Sequence, residues 1–255
     1  MVILIGVIVG CVYRPGKYVV VERADPTLPT ETNALLALSD ETASLGPGGP
    51  DLDRSLAAAN RILAAQPNHG EAAWRAARAL YLQTYATSDD HGKRTERCLD
   101  VSAVATAYSD RAEAHYYKAL CMGARANARQ IEGLDLVPRM EEAGKAALAA
   151  DQGIEHAGPH RLLGGIYLFA PAWPASIGDL DLALEHLNAA VELAPDWAEN
   201  HLLLAHALVE DEQYAEGRAA LNRAKKLLDG PLSVGWRKPW QKKIEALEKI
   251  IVERE

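Results

Sequence analysis

This sequence has one phenylalanine, three methionines and three cysteines among its 255 residues, and it has no excess of positive charge. Lys plus Arg number 27 against 35 Asp plus Glu, giving a net charge of −8. A chain built to hold nucleic acid carries the opposite balance, so that class is set aside. Also missing are a glycine-rich phosphate loop, a nucleophile elbow and cysteines paired at zinc spacing. The eight histidines are scattered. His156 and His160 are separated by Gly158 and Pro159, which breaks the helical register a metal pair needs. His201 and His206 fall about 140° apart around a helix, so they do not share a face. Asp179 and Asp181 sit where a helix starts, and acidic side chains there complement the helix dipole. The sequence therefore names no catalytic residue, no metal ligand and no cofactor. No apolar run reaches the about 20 residues that cross a bilayer.

What is present is a helical composition. Apolar residues make up 49%, ample for a core, and alanine and leucine dominate them. Helical pattern starts near Thr32, and LGPGGPDLD at 45–53 reads as an interhelical loop, with Asp51–Asp53 placed to cap the next helix. The chain then repeats itself. GEAAWRAARAL (70–80), RAEAHYYKALC (111–121), GPHRLLGGIYL (158–168) and AENHLLLAHAL (198–208) line up. Each holds a small residue at one register, namely Ala77, Ala119, Gly164 and Ala205, spaced 42, 45 and 41 residues apart. Second helices are predicted between them, over 86–107, 139–151, 179–194 and 213–228. Small residues on one helix facing small residues on the next allow close packing, which is how helix-pair solenoids are built.

The predicted fold class is all-α: a TPR-like solenoid of four to five antiparallel helix pairs over 32–255. Trp240, Ile244, Leu247 and Ile251 mark one apolar face of a C-terminal capping helix. Gly164, Tyr167, Ala183, Leu187, Ala190 and Pro195 resemble the signature positions of a tetratricopeptide repeat. So do Ala205, Leu208, Gly217, Leu221 and Ala224. Such repeats run about 34 residues; these are longer, so loops are inserted. The clearest insertion is FAPAWPASIGD at 169–179. Pro171 and Pro174 stop the helix that ends near Phe169, and Ser176 and Asp179 suit the cap of the next one. Leu180, Ala183, Leu187, Ala190 and Ala194 then form its buried stripe.

The N-terminus, MVILIGVIVGC, is an apolar run of the length of a secretory h-region, closed by a cysteine. Ile8, Val9 and Gly10 before Cys11 resemble the bacterial lipobox, which directs lipid attachment to the cysteine and cleavage before it. No Lys or Arg precedes the run; a start codon placed upstream would supply one. The competing reading is a buried first strand or helix. Under the lipoprotein reading residues 1–11 are signal and lipobox, and 12–31 form a Pro- and Thr-containing tether. Val12 in place of aspartate then points to the outer membrane.

The lipobox, the helix pairs and the loop Pro171-Ala-Trp-Pro174-Ala-Ser176-Ile-Gly178-Asp179 together resemble the T-component of TPR-associated TRAP transporters, a family of periplasmic lipoproteins. The match is best over 156–228. The resemblance implies a non-catalytic scaffold, lipid-anchored in the cell envelope and facing the periplasm. It implies a protein partner, a periplasmic solute-binding protein, together with a small organic ligand of hydrophobic or acidic character and assembly into ring-like homo-oligomers. Two other readings stay open: a general TPR adaptor in envelope assembly or in the cytosol, and an enzyme or enzyme subunit using the concave groove.

Aromatic side chains carry the binding expectation: Tyr116, Tyr117, Tyr167, Trp173 and Trp236 as partner or ligand contacts, against plain inter-repeat packing. Tyr116 and Tyr117 are neighbours on one helix, so at most one is expected to face the core. Cys98 and Cys121 remain once Cys11 is lipidated. They are read either as a disulfide or as two buried free thiols.

Overall fold

The structure is a computed structural model that describes residues 25–44, 46–48, 51–86, 91–128, 130–231 and 234–254. Cys11, the lipobox and most of the 12–31 tether lie outside the described residues. The described end of that tether, residues 25–31, lies against the second helix. There Arg61 donates to the carbonyls of Asp25, Leu28 and Pro29.

Among the described residues the protein is all α, with eleven helices. They are α1 (Thr32–Ala43), α2 (Leu52–Ala65), α3 (Gly70–Ala86), α4 (His91–Tyr108), α5 (Ala112–Ala128), α6 (Gln130–Ala150), α7 (Ile154–Phe169), α8 (Leu180–Leu193), α9 (Ala198–Glu210), α10 (Tyr214–Leu227) and α11 (Arg237–Arg254). A short 3-10 turn, Gly46–Gly48, separates α1 from α2. Each odd-numbered helix up to α9 packs antiparallel on the next, and α11 caps the stack against α9 and α10. The small residues of the repeat do what close packing needs. Ala77, Ala119 and Ala205 have no exposed surface, and Gly164 lies against Leu187 and Ala183 of α8. The face predicted for α11 is buried in full: Trp240, Ile244, Leu247 and Ile251 join Leu202, Ala205 and Leu221 in one cluster. Full burial of one leucine- or isoleucine-sized side chain contributes about 1.5–3 kcal/mol, so these four positions hold the cap on the stack.

Three local expectations change. Asp51 and Asp53 do not cap α2 with a side chain; Asp51 offers only its backbone carbonyl, to the Ser55 N–H. α3 runs on to Ala86, so α4 starts at His91 rather than at 86. α6 starts at Gln130 and runs through Pro138. A proline costs one hydrogen bond and kinks a helix without ending it when packing on both sides holds the turns together.

The 169–179 insertion is a tight structure held by its own backbone. Gly178 N–H donates to the Pro171 carbonyl at 2.9 Å, and Asp179 N–H to that of Tyr167 at 3.0 Å. The Asp179 carboxylate then accepts from Leu182 N–H and caps α8, while Ser176 does not take part. The chain crosses itself so closely that a Cβ on Gly178 would fall 2.1 Å from the Ala170 carbonyl oxygen. We expect Gly178→Ala to force the two arms of this loop apart and to lower stability by about 2 kcal/mol. Urea unfolding checks this, and an unchanged midpoint would sink it.

Candidate functional site

The first helices of the pairs turn one face toward the axis of the solenoid. Tyr116, Leu120, Gly123 and Asn127 of α5 follow the 3.6-residue period on that face, as do Arg161 or Leu162, Gly165 and Phe169 of α7. Between these faces lies a lumen of two lobes. One, of about 400 Å³, is lined by Tyr85, Tyr116, Phe169, Leu203 and Lys243 among others. The other, of about 630 Å³, is lined by Asp40, Arg78, Tyr117, Glu155, Trp197 and Trp236 among others. They share Tyr81, Tyr116, Leu120, Arg161 and Glu199, which form the neck between them.

Val234, Gly235 and Trp236, just before α11, form part of the lumen wall. Trp236 packs edge-on against Tyr85, with ring centroids 5.5 Å apart. Trp236 also presses on the turn after α1, where a Cβ on Gly46 would lie 2.5 Å from its Nε1. Gly46 has φ +70°, in the left-handed region that glycine enters without penalty. Trp236 stacks on Trp240 and meets Trp197 edge-on. One indole thus touches the turn after α1, α3 and α11.

Arg161 is the centre of the neck. It is 7% exposed, and its guanidinium is surrounded by acceptors. Nη1 donates to the His156 carbonyl and to Asn200 Oδ1, both at 2.9 Å. Nη2 donates to the Tyr116 hydroxyl at 3.1 Å and to the Glu155 carbonyl at 3.0 Å. Nε faces Glu199 Oε2 at 3.4 Å. The other Glu199 oxygen takes Lys243 Nζ at 2.9 Å. Burial pushes the Glu199 carboxyl up, but Lys243 and Arg161 outweigh it and hold the group below its ordinary value. Burial raises the Tyr116 hydroxyl to about 12, against the pull of Arg161. At the far wall Asp40 accepts from Arg75 and Arg78 at 2.7–2.9 Å, and those two hold its carboxyl below its usual value despite burial.

The two acceptor carbonyls come from an unusual turn. Glu155, His156 and Ala157 all have left-handed backbone angles, with φ of 49°, 57° and 61°. Each such non-glycine residue costs about 1–2 kcal/mol, so the turn persists because its surroundings hold it. Arg161 clamps its carbonyls, and the His156 ring stacks on Trp197 with centroids 4.0 Å apart. Partial burial, with Arg161 alongside, pushes the His156 pKa down.

The five aromatic candidates separate. Tyr116, Tyr117 and Trp236 line the lumen. Tyr167 is 5% exposed and sits elsewhere, donating to Glu141 at 2.7 Å and stacking on His186. Trp173 is 84% exposed on the inserted loop. The expectation that only one of Tyr116 and Tyr117 faces the core is overturned: they are 5% and 3% exposed. A first helix in a solenoid is flanked by the preceding pair, its own partner and the lumen, so its buried arc is wider than one face. Cys98 and Cys121 are joined as a disulfide, Cα to Cα 5.5 Å, tying α4 to α5.

Sequence reasoning missed Arg161, Glu199, Asn200, Lys243 and the 155–157 turn. A signal for one of them was present: Arg161 is the only Lys or Arg in α7, just ahead of its apolar run, whereas Asn200 falls in the polar opening turn of α9. It also missed that His160 meets His186, Nδ1 to Nδ1 at 3.0 Å, rather than its sequence neighbour His156. Among the described residues no three His, Cys, Asp or Glu side chains converge to hold a metal ion. No described helix is long and apolar enough to cross a membrane.

No protein-family model matches this chain, and no curated protein matches its sequence. Solved structures do match its shape. A thermophilic TPR protein of Thermus thermophilus superposes with a TM-score of 0.63 at 16% identity, over 86% of this chain and all of that one. YrrB, a TPR protein with an unusual peptide-binding site, gives a TM-score of 0.44 at 15% identity, over 82% of this chain and 92% of that one. With the helix pairing above, the first of these defines the fold as a TPR-like α-solenoid.

Proposed function

We propose that this chain is a non-catalytic scaffold lipoprotein, anchored through Cys11 to the outer membrane and facing the periplasm. In this reading its lumen receives a small organic ligand and its surface docks a protein partner, a solute-binding protein of the TRAP type. The observation that carries it is the lumen. Each lobe's volume falls in the range of small-molecule sites, about 300–1,000 Å³, and aromatic side chains line both. The charged groups at the neck favour holding over catalysis, because Arg161, Lys243 and Glu199 satisfy one another. A general acid or base needs a proton position that a substrate can reach. The docking surface is the 169–179 loop, whose rigid backbone displays Trp173. A tryptophan held out on an ordered loop offers large contact area at low entropic cost.

The test is capture from native-host membranes after mild crosslinking, with Cys11→Ala and Trp173→Ala as comparisons. A periplasmic solute-binding protein should be recovered with the native chain. It should be lost with Cys11→Ala and fall about tenfold with Trp173→Ala, the scale of a hot-spot truncation. Trp173→Ala leaves the fold intact, since so little of that side chain is buried. Recovery of envelope-assembly or cytosolic proteins alone removes the transporter assignment.

A further inference from the structure

The lumen's larger lobe has a chemical bias of its own. Both arginines that line it already donate to acceptors of the wall. Arg78 donates to Asp40 and to the Ser39 carbonyl, at 2.7 and 3.0 Å. Arg161 has the acceptors described above. Lys243, in the adjoining lobe, faces Glu199. The cations an anionic ligand would approach are already paired with Asp40 and Glu199, although Arg78 Nε, buried in the wall, has no hydrogen-bond partner. One carboxylate differs. Glu155 lines the lobe and is half-buried. Its charge is felt by Arg161, but the Arg161 N–H groups point to backbone carbonyls, Tyr116, Asn200 and Glu199 instead. The Tyr117 hydroxyl lies near enough to feel its charge. Among the described residues no Lys or Arg stands at ion-pair distance from it.

Aromatic rings surround that carboxylate. Tyr81, Tyr116, Tyr117, Trp197 and Trp236 all line the same lobe. Ring faces attract ammonium groups, more strongly where water is excluded. The left-handed turn at 155–157 is what brings Glu155 to this wall, and that turn is strained backbone clamped in place by Arg161. Strain held by its surroundings is a property of ligand clamps.

We propose that this lobe binds a small organic cation, an ammonium group carried on an apolar or aromatic body. The ammonium pairs with the Glu155 carboxylate, and the body lies among the tyrosines and Trp236. This rests on the reading of the lumen as a small-ligand site and assigns its ligand class.

The test is calorimetric titration of the full chain with three probes of matched shape: phenethylamine, phenethyl alcohol and hydrocinnamate. Phenethylamine should bind at least tenfold more tightly than hydrocinnamate, about what one charge-assisted contact supplies. Glu155→Gln keeps the side-chain length and removes the charge. It should reduce phenethylamine binding to the level of the alcohol and leave the alcohol unchanged. Hydrocinnamate binding as tightly as the amine overturns the cation assignment, as does a Glu155→Gln variant that keeps the preference for the amine. If all three probes bind alike, the small-ligand lumen stands and the cation assignment falls. If none binds, both fall. The probe series on the native chain decides the matter even where the variant folds poorly.

Discussion

Arg161→Leu should lower the free energy of unfolding by about 4 kcal/mol, the scale of removing one partner from a buried hydrogen-bonded ion pair. Leucine fills much of the volume but donates nothing. The Glu155 and His156 carbonyls, Asn200 Oδ1 and the Tyr116 hydroxyl would each lose a partner at 2.9–3.1 Å. Glu199 would keep Lys243. The loss should be concentrated at 153–158, where Arg161 is the clamp on the carbonyls of the left-handed turn. Arg161→Lys should recover little, since an ammonium has three donors and no planar fork. The network also sets an acid limit. The Glu199 carboxyl is held below its unfolded value of about 4.3, so its contribution is complete above that pH and is lost as pH falls through the folded value. Urea unfolding near neutral pH, with hydrogen exchange across α7, tests the first claim. A loss under about 1 kcal/mol, or exchange that rises evenly along the chain, would show that Arg161 is not the clamp.

The repeat was legible because it is written in local chemistry. Alanine, glycine and leucine recur at helical spacing on α3, α5, α7 and α9, and each stripe can be read without knowing what it packs against. The stop at Phe169 and the Asp179 cap were legible for the same reason, since proline and an N-cap carboxylate act on their own few residues. The lumen was not. Its wall needs Trp236 to reach Gly46, a contact spanning most of the chain, and no local pattern announces it. The 155–157 turn is hidden too. Three consecutive left-handed residues are not what Glu, His and Ala suggest, and it is Arg161, reaching back from α7, that makes the conformation tenable. The tyrosine pair misled because a helix with one dry face was assumed, whereas a solenoid helix is covered on several sides.

Opening the Cys98–Cys121 disulfide should lower stability by about 3 kcal/mol, as expected for a cross-link closing a loop of this length. The sequence separation is 23, and the bond ties the second helix of one pair to the first helix of the next. For a chain of this size about 3 kcal/mol corresponds to a fall in Tm of about 8 °C. Both cysteines have no exposed surface, so a reductant reaches them only through opening of the α4–α5 contact, and reduction of the folded protein should be slow. The bond also bears on location. Disulfides persist in oxidising compartments and are rare in reducing ones. Protein secreted to the periplasm should therefore carry the bond and melt about 8 °C above the same chain made in a reducing cytoplasm. Reduction should bring the two together, with an intact-mass gain of two hydrogens in the secreted sample alone. A Cys98→Ala, Cys121→Ala chain should melt with the reduced form from either compartment. If thiol-reactive reagents label both cysteines in denatured, unreduced protein from native membranes, the bond does not form in the cell. The stability attributed to it, and its support for the periplasmic reading, would then go together.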